Sequence, residues 1–301
     1  MTDHLPASGA PRPPRRAVAA TAFLLALTAA CSPAAGTPAP SAGPSSAPTQ
    51  TPVPTIAGIE HPTGATDIIL RFEEGGGFVP IDFLATQAPS FTLYGDGTVV
   101  FRDSQAVPPE PVGNLNRSVP FQTIRLGEEG IQALIEQALG PGGLGIAAGP
   151  YMGQGADLPS ATFTINADGR QKQVTVVALT PDMHPQDVLI VTSLANFADR
   201  LRTFGNDVAG EVVFEPTGYR GTLQKIDQAN GAVADWPWTD LQPSDSIAGA
   251  NDFLLLHTLT PAQVAALAVP GVEGGMLGLN IQKDGKLYSL ALRPLLPDEK
   301  S

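Results

Sequence analysis

The sequence contains one cysteine in 301 residues, with 15% charged and 6% aromatic residues. A single cysteine excludes an internal disulfide, so the folded part must be stabilised by its core, and the 43% hydrophobic residues suffice to build one. Basic residues are scarce as well, since 17 Lys and Arg stand against 29 Asp and Glu, and they form no basic stripe. We therefore expect no nucleic-acid partner, because binding to phosphates requires clustered positive charge.

Residues capable of chemistry form no recognised catalytic or metal-binding motif. Neither HExxH nor CxxC occurs, and no GxSxG or SxxK motif marks a nucleophile. Glycine-rich stretches at 75–77 and 140–145 do not end in the Gly-Lys-Ser/Thr of a phosphate loop. The four histidines are isolated from one another: His4, His61, His184 and His257. We expect no cofactor and no metal, with a metal site built from distant residues as the alternative.

The first thirty residues have the pattern of a signal peptide. Arg12, Arg15 and Arg16 precede an uncharged apolar run at residues 17–30. This run of fourteen residues is shorter than the about 20 apolar residues of a membrane-spanning helix. It fits the apolar region of a signal peptide, which is shorter. The sequence therefore predicts export, with residues 1–30 as the signal peptide.

The end of this run, Leu27-Thr28-Ala29-Ala30-Cys31, resembles the lipobox of bacterial lipoproteins. The resemblance implies that signal peptidase II cleaves between Ala30 and Cys31, and that a diacylglycerol is attached to the Cys31 sulfur. Thr28 departs from the pattern, because the family prefers Leu, Val or Ile there. Two or more acyl chains anchor a protein stably, so the resemblance implies a cell-membrane protein whose domain lies on the extracytoplasmic side. The alternatives are an ordinary secretory signal with an accidental cysteine, and an uncleaved signal anchor.

Residues 31–58 combine the cysteine with a linker rich in Pro, Ala and Ser. The segment 32–54 contains neither a charged nor an aromatic residue. Such a composition cannot bury enough surface to offset the entropy of ordering, so we expect a disordered spacer with extended polyproline segments. A proline-rich ligand for a partner and a glycosylated stalk are the alternatives.

Residues 59–301 are predicted to form the exported globular domain, with a sub-boundary considered near residues 206–216. Three Asp-Gly dipeptides, Asp96-Gly97, Asp168-Gly169 and Asp284-Gly285, lie between stretches of alternating apolar residues. Asp-Gly accepts the positive φ angles of a type I′ turn, and alternation indicates strands with one buried face. Each dipeptide therefore predicts a β-hairpin.

Helical spacing of apolar residues occurs between these hairpins. It predicts helices over 127–139 and 188–204, although Val188-Leu-Ile-Val191 also fits a strand. A third, short helix is predicted to open at Thr260 with Pro261 in its first position. Hairpins require antiparallel pairing, so we predict an α+β fold, with an antiparallel sheet covered on one face by two or three helices. A YGDG hairpin followed by an amphipathic helix resembles uncharacterised domains of other bacterial envelope lipoproteins, which implies no particular activity.

Both tryptophans of the chain lie in one tripeptide, Trp236-Pro-Trp238, flanked by Asp235 and Asp240. Closely spaced aromatic rings beside acids are able to stack on sugars or cations, which makes Trp236 and Trp238 a candidate ligand surface. The alternative is that both rings cap the core beneath a loop, as large aromatic residues usually do.

These features together predict a membrane-tethered bacterial lipoprotein with a non-enzymatic binding or structural domain in the cell envelope. Its partners are then the membrane, through the lipid on Cys31, and a protein, glycan or small ligand. The alternative is a tethered hydrolase of glycans or peptides that uses dispersed carboxylates, since a glycosidase needs two acids several ångströms apart.

Overall fold

The structure is a computed structural model that describes residues 58–79, 83–84, 86–248, 253–256 and 258–299. The predicted signal peptide at 1–30, the lipidation site Cys31 and residues 31–57 of the predicted linker lie outside these residues. His4 and His257 lie outside them as well.

The described residues contain fourteen strands and three α-helices. In chain order, the strands are β1 (Ile68–Gly76), β2 (Phe91–Tyr94), β3 (Thr98–Phe101), β4 (Asn116–Arg117), β5 (Gln122–Arg125), β6 (Pro159–Ala167), β7 (Arg170–Val177), β8 (Val212–Val213), β9 (Tyr219–Ile226), β10 (Ala234–Asp235), β11 (Ile247–Ala248), β12 (Phe253–Leu255), β13 (Met276–Lys283) and β14 (Lys286–Pro294). The helices are α1 (Glu128–Leu139), α2 (Val188–Arg202) and α3 (Pro261–Ala265). This content confirms the predicted α+β class.

The first sheet has the strand order β7-β6-β1-β2-β3-β5-β8, with every neighbouring pair antiparallel. Helices α1 and α2 pack on one of its faces, since their apolar residues share a core with those of the sheet. Phe163 of β6 lies at the centre of this core. Its ring centroid is 4.9 Å from that of Phe72 in β1 and 6.1 Å from that of Phe197 in α2.

The second sheet has the order β10-β13-β14-β9-β12-β11, and β4 also pairs with β13. The pair β10–β13 is parallel, and the other pairs are antiparallel. Leu223, Ile281 and Leu290 are fully buried in its core, where Val264 of α3 joins them. The predicted hairpins are thus divided between two sheets, and α3 belongs to the second.

All three Asp-Gly dipeptides form hairpin turns, but one turn differs in its geometry. Asp168-Gly169 and Asp284-Gly285 have positive φ at both residues, as a type I′ turn requires. In the first hairpin only Gly97 has positive φ, at 87°, and three residues separate Tyr94 from Thr98. The Asp96 carboxylate accepts a hydrogen bond from the Thr98 N–H at 3.0 Å, which stabilises this longer turn.

The predicted helices are present with small differences in their bounds. Val188–Val191 is helical, so the alternative of a strand there is wrong. Helix α2 ends at Arg202, and residues 204–207 form a 3₁₀ turn instead of a continuation of the helix. That turn places the Phe204 ring edge-on against Phe91 and Phe101 in the first core. At α3, Thr260 and Gln263 form the expected capping box.

The C-terminal segment after β14 covers the other face of the first sheet. Leu296 packs there with Tyr94, Val100 and Phe121. Tyr94 and Val100 alternate along their strands with residues of the first core, and Phe121 directly precedes β5. The described residues belong to one compact unit. The sub-boundary near 206–216 stays a prediction.

Candidate functional site

A cleft of about 450 Å³ lies where the C-terminal segment meets the first sheet, and we call it the charged cleft. Strand β1 contributes to it by alternation, because Phe72 is buried in the first core while Arg71 and Glu73 point to the opposite face. Its charged and hydroxyl lining is Arg71, Glu73, Glu74, Ser160, Thr162, Arg293, Asp298 and Glu299. Six charged side chains thus converge in one cleft.

Asp298 is bound by two side chains of the first sheet. Arg71 Nη2 and the Tyr94 hydroxyl each donate a hydrogen bond to Asp298 Oδ1, both at 2.6 Å. Burial favours a raised pKa for the Asp298 carboxyl, but these hydrogen bonds and the Arg71 charge hold the pKa below its ordinary value. Burial and the hydrogen bond to Asp298 both raise the pKa of Tyr94. Asp298 is therefore ionised, and the Tyr94 hydroxyl keeps its proton.

Glu299 is bound in the same way to the second sheet. Arg293 of β14 donates from Nη1 to Glu299 Oε2 at 2.7 Å and from Nη2 to Oε1 at 2.5 Å. The Leu296 N–H donates to Oε2 at 2.9 Å, and Arg220 Nη2 lies 3.4 Å from Oε1. Burial opposes ionisation of Glu299, but the bonds from Arg293 and Leu296 and the two arginine charges lower its pKa. Asp298 and Glu299 therefore join the C-terminal segment to both sheets, and we call this arrangement the C-terminal clasp.

Two further acids line the charged cleft. Glu74 is held by Arg202 of α2, which donates from Nε at 3.0 Å and from Nη2 at 2.5 Å. The hydrogen bonds from Arg202 to Glu74 raise the pKa of the arginine despite its partial burial. Glu73 forms no ion pair with any described residue. A general acid needs a carboxyl that keeps its proton near neutral pH, and the clasp acids have the opposite property.

The two tryptophans lie in the second core. Trp236 is 9% and Trp238 4% exposed, and their rings meet edge to face with centroids 4.8 Å apart. Trp236 Nε1 donates to the Leu241 carbonyl and Trp238 Nε1 to the Gln263 carbonyl, both at 2.8 Å. Neither ring offers an open face to a ligand, which corresponds to the alternative of rings that cap the core beneath a loop.

The described histidines lie apart and have separate partners. His61 Nε2 is 3.2 Å from Glu128 Oε1, and its Nδ1 is 2.7 Å from the Pro62 carbonyl oxygen. His184 is buried, with Nε2 at 2.8 Å from the Ala178 carbonyl oxygen. Within the described part of the chain, no group of three His, Cys, Asp or Glu side chains is placed to hold a metal ion.

The sequence reasoning did not identify the residues of the charged cleft. Arg71 and Asp298 are 227 positions apart, so no local motif connects them. The only local signal was the alternation in β1, which predicts that Arg71 and Glu73 share a face.

Comparison with protein-family models, with curated proteins and with solved structures finds no match to this chain. No helix in the described ranges is long and apolar enough to cross a membrane.

Proposed function

We propose that the chain is a membrane-tethered bacterial lipoprotein, anchored through Cys31, whose exported domain binds a ligand without catalysing a reaction. The anchor is supported by the order of features in the sequence: three arginines, an apolar run of fourteen residues, Ala29-Ala30-Cys31, and then an uncharged proline-rich spacer. A spacer that directly follows a lipidated cysteine is what a tether requires.

Binding is favoured over hydrolysis by one observation, the ionised state of the clasp acids. The side chains of Asp298 and Glu299 are each 17% exposed, and arginine partners lower the pKa of each. Their hydrogen bonds attach the C-terminal segment to the sheets, so their role is structural. Neither of these two acids is therefore suited to be the general acid of the tethered hydrolase with dispersed carboxylates.

The anchor is tested by the intact mass of the mature protein, expressed in a bacterium. Cleavage before Cys31 with added acyl chains is expected for the natural chain. Cys31→Ala should abolish both, while Ser41→Ala in the spacer should leave both unchanged. A released chain without acyl groups, or the same mass shift in Cys31→Ala, would overturn the proposal.

The absence of acid catalysis is tested by NMR titration of the side-chain carboxyls of Asp298 and Glu299. We expect both to titrate below their ordinary values of about 3.9 and 4.3. Glu211, an exposed acid in a loop, serves as the reference in the same spectra. A value above 6 for either clasp acid would favour the hydrolase.

A further inference from the structure

Arg102 and Arg117 differ from the other arginines in the described part of the chain. Arg71, Arg125, Arg170, Arg200, Arg202, Arg220 and Arg293 all form an ion pair with a carboxylate. Arg102 and Arg117 form no ion pair with any residue that the structure describes. The net charge of the chain is −12, so acidic residues are not scarce, yet these two arginines have no carboxylate within ion-pair distance among the described residues.

Arg102 follows β3 and is fixed in place without a neutralising charge from the described part of the chain. Its Nη2 donates to the Gly274 carbonyl at 3.0 Å, and its guanidinium lies 4.2 Å from the centroid of the Phe121 ring. Its Nε is buried without a hydrogen-bond partner, and Nη1 donates to no described atom. Burial lowers the pKa of Arg102 to about 10, which expresses the cost of a charge that is desolvated and unpaired.

Arg117 of β4 lies along the same groove. Its Nη1 donates to the Pro270 carbonyl at 3.3 Å, and its Nη2 donates to the Glu110 carbonyl. Its Nε is also buried without a partner. Backbone carbonyls thus orient both guanidinium groups, but neither charge is neutralised.

Both arginines line a groove of about 450 Å³, which we call the arginine groove. Its other walls are mostly apolar and include Val107, Pro109, Val119 and Leu277, and Ser118 also lines the groove. A volume in this range and an apolar lining with few polar groups are typical of small-molecule sites. A second cavity of about 430 Å³, which shares Arg102, Ser118 and Leu277 with the groove, extends it towards Glu74 of the charged cleft.

The geometry points to the arginine groove as the binding site for a small amphiphile that has one anionic head group, a carboxylate or a phosphate ester, and an apolar body. Arg102, with Arg117 and Ser118 beside it, recognises the head group, and the apolar walls bury the body. An anion there restores the charge balance that Arg102 lacks and completes its hydrogen bonding. Glu110 also lines the groove, and its negative charge favours a singly charged carboxylate over a phosphate monoester, which carries nearly two negative charges at about pH 7. The inference rests on the proposed binding function and names its ligand class.

The test is calorimetric titration of residues 32–301, produced without the signal peptide and without Cys31, so that no acyl chain, signal peptide or detergent competes. The probes are octanoate, octyl phosphate and neutral 1-octanol, each kept below aggregation. Octanoate or octyl phosphate should bind, and 1-octanol should bind at least about 10-fold more weakly, since one charged hydrogen-bonded contact accounts for that factor. The stronger of the two anions identifies the head group.

Variants locate the site. Arg102→Met retains an apolar side chain of similar length and should weaken binding about 10- to 100-fold. Arg170→Met removes an exposed arginine at the start of β7 and is the matched control, for which affinity should not change. Equal affinity of the two anions and 1-octanol, absence of binding, or an equal effect of both variants would overturn the inference.

A measurement on the chain without groove substitutions covers the case in which Arg102→Met does not fold. Addition of octanoate should shift the amide NMR signals of Ser118 and Leu277, and leave those of β7 in place. Shifts confined to other parts of the domain would overturn the inference. Because the anchor is judged by mass and the groove by binding to residues 32–301, either proposal can fail while the other stands.

Discussion

Replacement of Glu299 by Gln tests whether the C-terminal clasp stabilises the domain. Glu299 and Arg293 are 17% and 7% exposed, and two hydrogen bonds join them. Glutamine retains the shape of the side chain and one acceptor oxygen, but it removes the charge and one of the two Arg293 bonds. The Arg293 guanidinium then remains buried with only partial compensation.

The magnitude follows from the burial of the pair. Loss of one partner of a fully buried ion pair costs about 3–5 kcal/mol, and a hydrogen bond to a charged group contributes about 1.5–3 kcal/mol. Partial exposure of Glu299 and the remaining acceptor reduce the first value, so we expect a loss of about 2 kcal/mol in the free energy of unfolding. For a domain of this size, that corresponds to a fall of roughly 4–8 °C in Tm.

The assay is urea and thermal unfolding at pH 7 of the natural chain, Glu299→Gln, Arg293→Met and the double variant. Glu211→Gln is the control, because Glu211 is exposed and forms no ion pair with the described residues. The coupling free energy between Glu299 and Arg293 should be about 1 kcal/mol or more. A loss for Glu299→Gln within about 0.5 kcal/mol of the control would refute the reasoning.

The clasp also predicts how stability depends on pH. The folded-state pKa of Asp298 and of Glu299 lies below the unfolded value, so the unfolded chain binds more protons as the pH falls. Their contribution is complete above the unfolded values of about 3.9 and 4.3, and it is lost as the pH falls through the folded values. The free energy of unfolding should decline less steeply below pH 4 in Glu299→Gln than in the natural chain. Parallel declines in both chains would contradict this assignment.

Two further substitutions test other parts of the structure by urea unfolding. Gly285→Ala should lower the free energy of unfolding by about 1–2 kcal/mol, because Gly285 has a φ of 73°. Gly285→Asn should lower it less, since Asn tolerates this conformation better. Equal losses for the two variants would contradict the role of φ. Trp238→Phe should cost about 2–3 kcal/mol, because it leaves the Gln263 carbonyl without its donor and removes the edge contact with Trp236. A loss below 0.5 kcal/mol would show that the indole N–H is not needed.

Features that depend on nearby residues were predictable from the sequence. The dipeptides Asp168-Gly169 and Asp284-Gly285 determine their turns because both residues accept positive φ, and the flanking alternation determines which side chains face the core. Helix α1 was predicted within one residue for similar reasons, since its apolar spacing and the glycine that follows are local. The end of α2 was less predictable, because Phe204 leaves the helix to reach partners in β2 and β3.

The division of the strands between two sheets was not predictable from local signals. Strand β4 precedes β5 by only a few residues, yet β4 pairs with β13 and β5 with β3. The tryptophans show the same limit. The tripeptide Trp236-Pro-Trp238 fits an exposed ligand surface and a buried core equally well. For Trp238, the two alternatives are distinguished only by its acceptor, the Gln263 carbonyl, which is distant in the sequence.

The buried arginines show why the candidate site could not be predicted from the sequence. Arg71 lies in β1 and Arg102 directly follows β3, and the sequence around each gives no sign of its partner. Asp298 meets Arg71 and the pKa of the arginine is raised despite burial, whereas Arg102 meets a carbonyl and an aromatic ring and its pKa is lowered. Arg71 therefore has a structural role, because its hydrogen bond to Asp298 stabilises the C-terminal clasp. Arg102, buried without a counter-charge from the described residues, lowers the stability of the fold. An anion that binds the arginine groove would supply the missing charge.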